Sequence, residues 1–187
     1  MRHTGTLTIW YPIRRKRVMK IQRISLFIFL ALGILLLFYA LGFISDVYLF
    51  FAYGNKGLAD FYQEMQGINS GLLWKAIIII IFAITLFLLQ LGKHPAGIIT
   101  LVIVALITLA SLFFSAVSLA ALAEARQKYA ALDLSSLNRY IERGAIKYRY
   151  STLTYDLGLG VYAFLSLSSL FMAAVVTRNA FIIKVES

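Results

Sequence analysis

The chain predicts an all-α integral membrane protein: four transmembrane helices in an antiparallel bundle, with short amphipathic helices in the two long connections (1–2 and 3–4). Three observations carry this. Four apolar runs interrupt the 187 residues, each long enough at ~1.5 Å per residue to cross a hydrocarbon core of ~30 Å. The composition is 61% hydrophobic with mean hydropathy +0.84, well above the roughly 45–50% apolar share of a soluble domain. The polar stretches between the runs are too short for a second core, so there is one membrane domain, 24–178, between a leader and a tail.

Residues 1–23 form a basic leader, expected to be mostly irregular, with Met19 as an alternative start to Met1. The first span covers about 24–44. It exceeds the h-region of a signal peptide and no small-x-small cleavage pattern follows, so it is read as retained. Gly54-Asn55-Lys56-Gly57 is a turn. Leu58, Phe61, Tyr62 and Met65 then recur at helical spacing, with Asp60, Gln63 and Glu64 opposite, predicting a short amphipathic helix broken over Gly67–Gly71.

The second span covers about 72–91, with Trp74 and Lys75 at headgroup level and Ile77–Ile81 toward lipid. The short Gly92-Lys93-His94-Pro95 link makes a tight hairpin into the third helix, 96–131. That helix exceeds the bilayer thickness, so its last turns are expected to form an extramembrane extension carrying Glu124, Arg126, Lys128 and Tyr129. Small residues at four-residue spacing, Ser111 with Ser115 and Ala116 with Ala120, are expected to pack against the fourth span. Asp133 or Ser135 caps a second amphipathic helix with Leu134, Leu137, Tyr140 and Ile141 on one face and Gly144 at its end. The fourth span covers about 155–177, where Gly158, Gly160, Ser166 and Ala173 offer close packing; 179–187 is the tail.

Net charge is +10, and seven of the 18 basic residues (Arg2, Arg14, Arg15, Lys16, Arg17, Lys20 and Arg23) sit in the leader. Basic charge flanking a span is normally cytoplasmic, and here it suits anionic headgroups. No folded basic surface accompanies it, which argues against nucleic acid. With both termini cytoplasmic, Lys93, Arg178 and Lys184 bring the inner basic count to ten against eight outside; a start at Met19 leaves five inside. We expect the plasma (cytoplasmic) membrane, with both termini cytoplasmic.

Several chemistries are excluded by residue type. The chain has no cysteine, so disulfides, thiolate metal sites and thiol nucleophiles are out. Its two histidines, His3 and His94, flank the spans and cannot ligate haem inside them or complete a nucleophile–His pair. No phosphate-binding glycine loop is present. No acidic residue falls at mid-span, which argues against proton coupling. No catalytic, cofactor-binding or metal residue is therefore assigned, and no cofactor is expected.

Two candidate sites remain. Tyr140, Arg143, Lys147, Tyr148, Arg149 and Tyr150 interleave rings and cations, the residue types enriched at interface hot spots. Asp46, Lys75, Glu124 and Asp156 are expected at one outer rim as ion pairs between helix ends. The expected function is a non-catalytic accessory or scaffold subunit that packs against another membrane protein or a second copy and presents the Tyr/Arg-rich cap. The alternative is a small channel or solute-permeating homo-oligomer lined by Thr85, Gln90, Thr100, Thr108, Ser111 and Ser115. An enzyme acting on lipid headgroups would need Asp46, Glu124 or Asp156 as acid or base and ranks last.

The topology makes one prediction. Cysteines introduced at Asn55 and Ser136 should react with an impermeant thiol reagent added outside intact cells. Labelling only after permeabilisation contradicts it.

Overall fold

A computed structural model describes residues 7–43, 56–91, 98–132 and 151–185. They form four helices: α1 (Leu7–Gly42), α2 (Lys56–Leu91), α3 (Ile98–Ala130) and α4 (Leu153–Val185). All four contain a stretch long and apolar enough to cross a membrane.

Two expectations are corrected. The leader is helical from Leu7 onward rather than irregular; Leu, Arg, Lys, Met and Gln, which fill much of it, are strong helix formers. Nor does Gly67–Gly71 break the chain: α2 is one helix of 36 residues. Leu58, Phe61, Met65, Asn69, Leu72, Ala76, Ile79, Ala83 and Leu86 are all buried, at three- and four-residue steps. The stripe therefore passes through the glycines without a change of phase. Each glycine costs about 1 kcal/mol of helix propensity, less than the burial of Phe61, Met65 and Leu72 contributes. The amphipathic face predicted over 58–65 is thus a continuation of the membrane helix. The second predicted amphipathic helix, with Leu134, Leu137, Tyr140 and Ile141, lies outside the described residues.

Each helix packs against two others, α1 on α2 and α4, and α3 on the same two. Residue numbers rise along one member of each pair as they fall along the other. Phe27 stacks edge-on to Phe87 and Gly33 meets Ile79 and Ile80. Phe82 stacks on Phe114 while, at the other end of the same seam, Phe61 meets Tyr129. Asn179 Nδ2 donates to Gln22 Oε1 at 2.7 Å, both side chains buried. The Tyr39 hydroxyl donates to the Thr154 carbonyl at 3.0 Å.

At the α4 N-terminal end, Phe43 just past α1, Tyr155 of α4, Tyr129 of α3 and Phe61 of α2 follow one another with ring centroids 5.5, 5.4 and 5.7 Å apart. This collar links all four helices. Aromatic pairs of this kind contribute about 0.5–1.5 kcal/mol each beyond the area they bury.

α3 buries Ser111, Ser115, Ser118, Leu122, Ala125 and Tyr129 on one face, whereas Ala116 and Ala120 are exposed, opposite to expectation. Each residue step turns a helix by roughly 100°, which carries Ala116 off the stripe that Ser115 and Ser118 occupy. On α4, Gly158 is buried, and Gly160, Ser166 and Ala173 are half-buried. Of Ile77–Ile81, Ile79 is fully buried, only Ile81 is exposed, and the other three are half-buried.

Gly158 of α4 seats the Tyr39 side chain of α1: a Cβ there would overlap the hydroxyl and ring of Tyr39, while one on Gly160 would meet open space. Gly158→Ala should cost about 1–3 kcal/mol through overpacking, and Gly160→Ala should be neutral or stabilising by up to about 1 kcal/mol. Denaturant unfolding in mild detergent measures both; equal effects contradict the packing.

Candidate functional site

The interior polar groups gather where α2, α3 and α4 meet, just inside the collar. The apolar part of α2 begins at Leu72, so Lys75 sits one turn into it, beside the exposed Trp74. Its side chain turns into the bundle and Nζ donates to Ser118 Oγ of α3 at 3.2 Å. Across from Ser118, α4 contributes Tyr162, a fully buried ring in mid-run. The Tyr162 hydroxyl lies beside Ser118 but completes no hydrogen bond of good geometry. Tyr39 of α1 stands close to it. Deeper along α3, the hydroxyls of Ser115, Ser111 and Thr108 are buried with no hydrogen-bond partner. Ser169 of α4 spends its hydroxyl on the Leu165 carbonyl at 2.8 Å.

The cluster is rich in donors. A lysine ammonium carries three N–H groups and accepts nothing, and each hydroxyl has one proton to give. Among the described residues, Lys75 forms no ion pair. A charge so placed normally requires a partner, because burial of an unpaired charge is expensive.

The outer rim is organised separately. Arg126 Nε donates to Asp156 Oδ1 at 2.7 Å, and Thr152 Oγ1 donates to Asp156 Oδ2 at 2.9 Å. Asp156 stands in the first turn of α4, where the helix dipole favours an anion. Lys128 joins Glu64 of α2 and, at 2.9 Å, Glu124 on its own helix. Of the residues expected as one rim set, the three described, Lys75, Glu124 and Asp156, are therefore not brought together. Glu124 and Asp156 pair with cations of α3, Lys75 lies about 12 Å farther in, measured from Ser118 to Arg126 at ~1.5 Å per residue, and Asp46 lies outside the described residues. So do Tyr140, Arg143, Lys147, Tyr148, Arg149 and Tyr150.

Of the six polar residues expected to line a pore, Thr100, Thr108, Ser111 and Ser115 share the buried face of α3. Thr85 instead bonds the Ile81 carbonyl at 2.9 Å, and the Gln90 side chain is outside the described residues. Sequence reasoning missed Tyr39, Tyr162, Gln22 and Asn179. A signal existed for Tyr162, a tyrosine in the middle of an apolar run instead of at its edge. Gln22 and Asn179 were assigned to the leader and the tail, yet both are buried. Among the described residues no group of His, Asp or Glu is placed to hold a metal.

No family model matches the chain, and neither a curated protein nor a solved structure matches it.

Proposed function

We propose that the chain is a non-catalytic accessory or scaffold subunit of the plasma membrane, an antiparallel bundle with both termini cytoplasmic. It packs against another membrane protein or a second copy of itself and presents the tyrosine- and arginine-rich 140–150 stretch as its outer cap. Anionic headgroups hold the basic leader at the opposite face.

One observation carries this reading: the outer end is braced on every side. The collar joins four helices there, Arg126 ties α3 to α4, and Lys128 ties α3 to α2. Individually, exposed ion pairs are worth little, ~0–1 kcal/mol. Together with the rings they fix the two points, Leu132 and Ser151, from which the 133–150 connection departs. A rigid base lowers the ordering cost of binding, which suits a docking platform. We read the 133–150 connection as the second amphipathic helix with its cap residues.

A second reading is a solute-permeating oligomer. The row of unpartnered hydroxyls at Thr108, Ser111 and Ser115 favours it, and passage of small solutes into liposomes holding the purified protein would select it.

Arg143→Ala combined with Arg149→Ala should reduce partner recovery in mild-detergent co-purification severalfold while expression stays unchanged, the scale of losing interface arginines. Undiminished recovery contradicts the proposal.

A further inference from the structure

We propose that Lys75, Ser118 and Tyr162 form an intramembrane site for an anionic phosphate group, supplied by the headgroup of an anionic phospholipid that enters at the α2–α3 seam.

Donor and acceptor accounting points to an anion. Lys75 gives one N–H to Ser118 and keeps two. Ser118 accepts that bond, and its hydroxyl lies beside that of Tyr162. Tyr162 is fully buried, and its hydroxyl, beside Ser118, completes no hydrogen bond of good geometry. The cluster thus offers a positive charge with several free donors, and among the described residues no carboxylate faces it. Water could take up donors but would leave the charge uncompensated. A phosphate diester supplies both the negative charge and enough lone pairs, and charge-assisted bonds from ammonium and hydroxyl groups are the strong ones.

Depth selects the lipid. The apolar part of α2 starts at Leu72, after the polar Asn69 and Ser70 and Gly71, so Lys75 lies about 5 Å along the helix into that apolar part at ~1.5 Å per residue. Trp74 faces outward at the same level, 65% exposed, as interfacial tryptophans do. Lipid phosphates lie just beyond the hydrocarbon edge, within reach of a lysine side chain. Lys75 is half-buried at the lip, and the fully buried Ser118 and Tyr162 form the inner wall. The α2–α3 seam is also the most sparsely packed of the four, which makes it the seam that admits a headgroup.

Native mass spectrometry of the full chain tests this, with phosphatidylglycerol or phosphatidylcholine titrated into zwitterionic detergent. The leader is a second attraction for anionic lipid, so the background chain carries Arg14→Gln, Arg15→Gln, Lys16→Gln and Arg17→Gln. Phosphatidylglycerol should be retained at least tenfold more strongly than phosphatidylcholine. Lys75→Met should lose that preference about tenfold or more, the size of one charge-assisted bond, while Lys75→Arg keeps most of it. Tyr162→Phe deletes a single oxygen and should lower retention severalfold at unchanged fold, which guards against misfolding of the lysine variant. A parallel melting assay uses inorganic phosphate as the probe. A Lys75-dependent shift with inorganic phosphate and none with phosphatidylglycerol overturns the lipid assignment. Equal retention by the background chain, Lys75→Met and Tyr162→Phe overturns the site.

Discussion

Closure of α1 against α4 is the constraint on which the remaining arrangement depends. Water drives nothing together inside a bilayer, so helices associate through close backbone approach and hydrogen bonds between them. This seam uses hydrogen bonds and a side chain seated on a glycine. At one end the Asn179 and Gln22 amides, 157 residues apart in the chain, meet out of solvent. At the other, the absent Cβ of Gly158 makes room for Tyr39, whose hydroxyl reaches the Thr154 carbonyl. Two fixed points set the register. That register places Phe43 beside Tyr155, completing the collar, and Tyr39 beside Tyr162, completing the polar cluster.

Polar side chains within the spans are gathered on the inner faces of the helices. The outer faces of the helices carry Phe38, Trp74, Leu88, Ile98, Ile99, Leu109, Phe113 and Phe164, all strongly exposed. The inner face of α3 carries hydroxyls instead. Small hydroxyl side chains permit close helix contact, but four of the interior hydroxyl groups find no acceptor. The one ammonium among them is the feature that internal packing does not account for. Around it the charges of Arg126, Lys128, Glu64, Glu124 and Asp156 are already paired at the rim. Binding surface and brace are thereby separated: the rim stiffens the outer end, and the cluster below it keeps unspent donors.

Much of this was legible in the sequence, and what was missed has physical causes. Hydropathy located the apolar core of every span, because chain length and bilayer thickness leave little choice. Helix ends were harder. Gly67 and Gly71 resemble a break locally, yet the buried stripe from Leu58 to Leu86 overrides a propensity penalty of about 1 kcal/mol per glycine. The four-residue spacing that singled out Ser111 and Ser115 applied equally to Ala116 and Ala120, and periodicity alone does not say which of two neighbouring stripes faces inward. The partner of Lys75 was invisible for a different reason. A lysine at the edge of an apolar run looks like a snorkelling residue until the neighbouring helix shows a serine 3.2 Å away. Gln22 and Asn179 lay beyond any local pattern, since each appears merely as a polar residue where an apolar run ends.

The register of the α1–α4 seam is tested most directly by proximity chemistry, since the chain contains no cysteine of its own to compete. Cysteines replacing Gln22 and Asn179 should be joined efficiently within one chain by a short bis-thiosulfonate reagent in native membranes, and a Gln22→Cys, Thr154→Cys pair should not. Joining of the second pair in preference to the first would contradict the arrangement on which the collar and the polar cluster both rest.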